Sequence, residues 1–313
     1  MRTLEQPPYG EICDLLKKGG IVPFLGAGAS VVGRAPGVEW HPDHPSFLPS
    51  GLELAHFLAD KAEFPAGESQ ERDDLAKVAS YYVEMLGRRR LKERLRDVLH
   101  QPYDTGPLHE LLAAVRAPMV IVVTNYDTLL EQAFRAVGKP YDLVAYPTDQ
   151  KDRAASIQWW PHGATEPLWE PANSLYIDLT KTTVIYKMHG SISADNNRWD
   201  SFVVTEDDYV EFLSRMMDNK AIPSIFFDYF RERSFLFLGY SLRDWNLRVV
   251  LKNLSKQLET RGAADNDEGP LPSWAIQYNP SPLERRLWVK RNVEIFDVAI
   301  ADFVARLQEL MGT

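Results

Sequence analysis

The sequence predicts an α/β protein: a doubly wound, Rossmann-like parallel sheet with a helical subdomain beside it. Two patterns carry that prediction. Continuous apolar runs recur at Ile21–Leu25, 119–123, 182–188, Ser234–Leu238, 274–278 and 293–296, as strands covered on both faces require. Between them lie segments whose apolar residues have helical spacing, at 52–64, 75–85, 91–99, 108–115, 129–137, 209–217 and 244–258. Strands that alternate with helices build crossover units, so the strands run parallel. Ligands of such sheets bind beyond the carboxyl ends of the strands.

The 313 residues are read as one domain spanning 1–313. Helical segments follow one another without a strand over 52–115, which marks the helical subdomain. Residues 146–180 are rich in Trp and Pro and lack a clear period, which reads as an insertion serving as a lid or contact surface. The stretch 260–272 is a polar, acidic loop. A net charge of -9 argues against a nucleic-acid surface over the whole molecule, so no direct nucleic-acid binding is expected. The single cysteine, Cys13, excludes a disulfide framework and a cysteine-rich zinc site, and no metal is expected. No signal segment and no apolar run of membrane-spanning length is present, so the expected location is cytoplasmic, with no membrane partner.

Each apolar run ends in small or polar residues. The first, Ile21–Leu25, enters Gly26-Ala27-Gly28-Ala29-Ser30. Gly26 and Gly28 can take positive φ and let the backbone approach a pyrophosphate without a Cβ in the way, with Ala27 and Ser30 beside it. Val31 stands where the third glycine of the dinucleotide fingerprint would fall. The second run leads into Thr124-Asn125-Tyr126-Asp127, three polar groups at one strand end where a helix cap needs only one. The third ends in His189-Gly190, placing an imidazole at the sheet edge, where it can exchange a proton or bond a ribose hydroxyl. The other histidines read as surface or structural. The fourth ends in Gly239-Tyr240-Ser241: Gly239 permits close backbone approach, and Ser241 can donate to a phosphate or ribose oxygen. The fifth ends in Asn279, whose amide suits a ribose or adenine; about one helix–strand–helix remains after it within these 313 residues, so control is expected to come from self-assembly or a partner.

This ordered set (Gly26-Ala27-Gly28-Ala29-Ser30, Thr124-Asn125-Tyr126-Asp127, His189-Gly190, Gly239-Tyr240-Ser241 and Asn279) resembles the SIR2, or sirtuin, superfamily. It is most similar to the SIR2-like branch that acts in bacterial anti-phage defence. Two departures separate the chain from the protein deacetylases of that superfamily. With only Cys13 it cannot form their four-cysteine zinc ribbon, and a His- and Pro-rich stretch at 34–49 stands in place of their cofactor loop. The resemblance therefore implies hydrolysis of NAD+ to nicotinamide and ADP-ribose, depleting the cell of NAD+ once triggered.

For the residues, the resemblance implies that His189 is the catalytic histidine, beside Asn125, which orients water and ribose hydroxyls. Asp127 would hold the loop or the nicotinamide amide. Gly26, Ala27, Gly28 and Ser30 would take the pyrophosphate, while Thr124, Gly239, Ser241 and Asn279 complete the NAD+ site. For partners it implies a homo-oligomer, or control by a helicase/translocase ATPase or an Argonaute. Two rival readings stay open: a non-catalytic subunit that binds NAD+ or ADP-ribose, and an NAD-dependent protein deacylase. An oxidoreductase is disfavoured by the missing third glycine and the missing acidic residue after a second strand.

Overall fold

The computed structural model describes residues 6–35, 37–43, 45–65, 70–148, 153, 156–218, 220–240, 271–289 and 291–312. The predicted helix over 244–258, Ser241 and all but the last two residues of the 260–272 loop lie outside these residues.

The central element is β1 (Ile21–Leu25), every residue of which is buried. Its pleat sends Ile21 and Leu25 to one face of the sheet and Val22 and Phe24 to the other. On one side β1 pairs in parallel with β2 (Val120–Val123), but the register begins only at Phe24. Pro23 explains the short ladder. The Leu25 carbonyl accepts from Thr124 on the β2 side, so Pro23, two residues earlier, turns its proton-less nitrogen toward the same neighbour.

Four helices lie between these strands: α1 (Tyr9–Lys18) precedes β1, and α2 (Gly51–Lys61), α3 (Leu75–Leu86), α4 (Arg88–Leu99) and α5 (Pro107–Ala114) follow it, leaving four in the β1–β2 connection. Then come α6 (Leu129–Ala136), β3 (Asp142–Ala145), β4 (Ser156–Trp160), β5 (Leu168–Pro171) and β6 (Val184–Lys187). The chain continues through α7 (Glu206–Met217), α8 (Ser224–Arg231), β7 (Ser234–Leu238), β8 (Ser273–Gln277), α9 (Pro282–Val289), β9 (Val293–Asp297) and α10 (Ile300–Met311).

The nine strands form one sheet in the order β5-β4-β3-β6-β2-β1-β7-β8-β9. Within it, β6-β2-β1-β7-β8-β9 is the doubly wound dinucleotide-binding order, with the direction of progression reversing between β1 and β7. The parallel α/β sheet is as the apolar runs predict. Residues 142–171 add what they do not: β3 extends the parallel part beside β6, while β4 and β5 continue it antiparallel. The Trp/Pro-rich stretch is thus partly sheet. Trp159 packs against the core, and its Nε1 donates to Asp142 Oδ2 at 2.8 Å. Trp169 lies 6.2 Å, centroid to centroid, from Trp199.

Three apolar clusters hold the fold. One sheet face packs on α7 and α8, and the other on α1, α5, α6 and α10. The third cluster joins α2, α3 and α4 with Phe202 and Val204. The fourth helix of the 52–115 stretch, α5, therefore belongs to the sheet-covering layer: Leu108, Leu111 and Leu112 bury against the strands. No helix among the described residues is long and apolar enough to cross a membrane.

Candidate active site

A cleft of about 660 Å³ opens at the carboxyl ends of β1, β2, β6 and β7, over the point where the strand order reverses. Ala27, Ser30, Thr124, Asn125, Asp127, His189 and Gly239 wall it on the sheet side. The helical unit supplies the opposite wall through Leu48, Pro49, Gly51 and Leu54, and through residues 73–76 at the start of α3.

The loop after β1 differs from expectation in conformation. Gly26 has φ -107°, and neither Gly26 nor Gly28 is among the positive-φ glycines; Gly239 is, at φ 77°. The two glycines are required by packing instead. A Cβ on Gly26 would stand 2.7 Å from the Gly239 oxygen, and one on Gly28 would stand 2.9 Å from the Gly239 Cα. Their N–H groups are spent as well: Gly26 donates to Leu238 O and Gly28 to Gly239 O, each at 2.9 Å. Gly26 and Gly28 thus bind the β1 and β7 loops together, whereas Ala27 and Ser30 face the cleft.

A short hydrogen-bond chain organises the cleft floor. Asn125 Nδ2 donates to Gly26 O at 2.9 Å and to Ser30 Oγ at 2.7 Å. Because a carbonyl only accepts, the first bond fixes which end of the amide is which. The amide oxygen is left as an acceptor for something in the cleft. Ser30 Oγ passes its single proton to Asp127 Oδ2 at 2.7 Å, and Asp127 Oδ1 accepts from the Leu129 N–H at 3.0 Å. Ser30 therefore links the loop to Asp127 and keeps no proton for a phosphate in this arrangement. Asp127 thus satisfies the first N–H of α6 and holds the β1 loop at once. Thr124 Oγ1 lies 2.8 Å from the Tyr240 hydroxyl, which donates to Leu25 O at 3.0 Å, tying the ends of β1, β2 and β7 together.

His189 follows β6 and is 9 % exposed. Its ring meets Tyr209 and Phe212 edge-on at 5.4 and 5.3 Å. Its Nε2 is buried with no hydrogen-bond partner. A buried orphan nitrogen costs about 1–3 kcal/mol, so the ring is held ready for a partner that the protein itself does not supply. Burial lowers its pKa from the usual 6.5 to about 3, so the imidazole is neutral at pH 7.

The sign of the linked effect on stability follows. Acidification protonates His189 in the unfolded chain first, so folding stability is full above about pH 6.5 and falls as pH drops toward 3. Burial also lowers the pKa of His109, which adds in the same direction. Urea unfolding at about pH 7.5 and about pH 5 is expected to show a loss of up to about 1.4 kcal/mol per unit from His189. That loss should shrink in a His189→Phe variant; equal pH dependence in the two proteins would contradict it.

The structure brings Ala27, Ser30, Thr124, Asn125, Asp127, His189 and Gly239 to one cleft, with Gly26 and Gly28 behind it. Asn279 stands apart: it is exposed, sits at φ 50° and gives its N–H to Asp297 Oδ1 at 2.7 Å. Sequence reasoning missed Tyr240 and Tyr209, the helical wall, and the buried pair Lys187 and Glu131. For Lys187 a signal existed, a lone charge inside an apolar strand.

Comparison with known proteins gives a consistent picture. The SIR2-like domain family matches residues 119–296, more than half of the chain. The chain is 29 % identical over 188 residues to the NAD(+) hydrolase ThsA of Acinetobacter baumannii, covering 59 % of this chain and 32 % of that protein. It is 22 % identical over 292 residues to defense-associated sirtuin 2 of Bacillus subtilis, covering 92 % of this chain and 24 % of that protein. Identity to the NAD(+) hydrolase ThsA of Enterococcus faecium is 26 % over 251 residues, covering 77 % and 41 %. The chain thus spans less than half the length of each of these relatives.

Proposed function

The chain belongs to the SIR2-like domain family, and on that premise we propose that it hydrolyses NAD+ to nicotinamide and ADP-ribose as an effector of anti-phage defence. One observation carries this reading: the Asn125–Ser30–Asp127 chain and the partnerless His189 Nε2 share one cleft at the switch point of the sheet. Relatives named as NAD(+) hydrolases and as a defence-associated sirtuin support it.

The chemistry suits the residues. In NAD+ the C1′–N bond breaks with its electron pair passing to the pyridinium ring, so nicotinamide leaves neutral and little acid catalysis is needed. Water adds to C1′ and releases one proton. What the protein must supply is position and a polar lining for the oxocarbenium-like transition state. Asn125, its amide pinned through Nδ2, offers Oδ1 to the water or to a ribose hydroxyl. His189, neutral at pH 7, offers its ring nitrogen as a hydrogen-bond partner to a ribose hydroxyl. Ser30 and Asp127 keep Asn125 in place. Ala27 lies where the pyrophosphate would run, and the adenosine half is assigned to the Gly239 side. Restraint of the activity through self-assembly or a partner, in the cytoplasm, is part of the same proposal.

The test is incubation of purified protein with NAD+ and chromatographic detection of products. Equimolar nicotinamide and ADP-ribose are expected. O-acyl-ADP-ribose in the presence of acylated peptide would point to a deacylase instead. NAD+ that is bound but left intact, with and without candidate partners, would point to a binding subunit.

A further inference from the structure

The last residue of β6 is a lysine in a position built for an apolar side chain. Lys187 pairs in register with Val123, the residue from which the Thr124–Asp127 turn departs, and it has no exposed surface. Taking an ammonium group out of water costs far more than a methionine would in the same place. The lysine therefore has a task other than filling space.

Its donors show what the task is. Lys187 Nζ donates to the backbone carbonyl of Asp127, and the carbonyl of Asn125 lies 3.5 Å away. Glu131, in the first turn of α6 and 2 % exposed, sets Oε1 3.1 Å from Nζ. Neither oxygen of Glu131 has an oriented hydrogen bond. Glu131 thus compensates the charge, while the directional bonds of the ammonium group go to the turn that carries Asn125 and Asp127. Other anchors hold the flanks of that turn: Thr124 N–H donates to Leu25 O at 3.0 Å, and Ile192 N–H donates to Tyr126 O at 3.0 Å.

We infer that Lys187, neutralised by Glu131, is a positioning residue: it clamps the Asn125 and Asp127 carbonyls and so fixes the Asn125 amide in the cleft. The inference rests on the proposal that the cleft cleaves NAD+. Positioning matters here because displacement by about 1 Å can lower a rate by about 100-fold.

A buried ion pair can be removed whole with little harm to the fold, whereas removal of one partner strands a buried charge. That difference separates a clamp from a prop. The variant Lys187→Met/Glu131→Leu leaves no unpaired charge but takes the donor from the buried Asp127 carbonyl, so it is expected to fold and to melt below the parent, to keep KM for NAD+ within about 3-fold, and to lose about 100-fold in kcat. A second variant, Lys187→Gln/Glu131→Gln, returns one donor to the turn and is expected to recover part of kcat. Either folded double variant with kcat within about 3-fold of the parent would overturn the clamp. A parent protein that neither binds nor cleaves NAD+ would overturn the reading beneath it, and the clamp with it.

Discussion

Replacing His189 by phenylalanine is expected to abolish NAD+ cleavage while leaving the ligand-free protein as stable as the parent, or more so. The side chain stacks edge-on against Tyr209 and Phe212, contacts that a benzyl ring keeps. The buried Nε2 without a partner disappears, and with it a penalty of about 1–3 kcal/mol. A gain of that size outweighs the small cost of fitting a slightly larger ring at a cleft wall, so the melting temperature at pH 7 should hold or rise. Activity should fall by about 10²–10⁴-fold, the range lost when a positioned acid–base or hydrogen-bonding group is removed. Nicotinamide release measured by chromatography, beside a thermal melt, reads both. A variant that is destabilised yet fully active would reverse the assignment and make His189 a core residue.

The combination matters more than either half. A residue whose loss leaves the fold intact or improved, while the reaction stops, is kept for chemistry and not for packing. Asn125→Ala should behave differently. Its Nδ2 bonds to Gly26 O and Ser30 Oγ are lost along with the cleft acceptor, so some stability should go with the activity.

The sheet was legible because its strands are buried on both faces and therefore carry unbroken apolar runs. Ile21–Leu25 and Ser234–Leu238 coincide with β1 and β7. The antiparallel edge was not legible. Ser-Ile-Gln-Trp-Trp at β4 and Leu-Trp-Glu-Pro at β5 are half-covered strands, β5 at the sheet edge and β4 next to it, in which burial is partial and alternation is interrupted. The candidate site was legible as a set of strand ends, since topology alone brings carboxyl ends to one place. The division of labour inside it was not. Gly26 and Gly28 read as a phosphate cradle because glycines at such spacing usually mean backbone approach to a ligand. Here the approach is to Gly239, a contact more than 200 residues away in sequence that no local pattern announces. Ser30 read as a pyrophosphate contact and Asp127 as a hold on the loop or on the nicotinamide amide; in the structure the two are bonded to each other. The helical wall carried no motif, because Leu48, Leu54 and Leu75 contribute shape alone.

That contact between loops makes Gly239→Ala the substitution with the largest expected effect on the site as a whole. At φ 77° an alanine is strained before any neighbour is considered, at about 1–2 kcal/mol. Its Cβ would also drive into the Ala29 nitrogen and stand 2.7 Å from the Gly28 carbonyl carbon. Both are backbone atoms of the opposing loop, so no side chain can swing aside. The loops must separate, breaking the Gly28 N–H bond to Gly239 O and pulling on the Gly26 N–H bond to Leu238 O. Each lost bond adds about 0.5–1.5 kcal/mol, and strain plus the two bonds place the cost at about 2–5 kcal/mol in total. The damage extends past stability, because Ser30 rides on the displaced loop and anchors Asn125 and Asp127. Cleavage should therefore be lost even where the protein stays folded, and NAD+ affinity should fall with it. His189→Phe is expected to spare that affinity far better, since it leaves both loops in place. Calorimetric titration of NAD+ into the two variants separates the effects. Equal affinity in both would mean that the Gly26–Gly239 contact is remote from the ligand and that the cleft is organised by β2 and β6 alone.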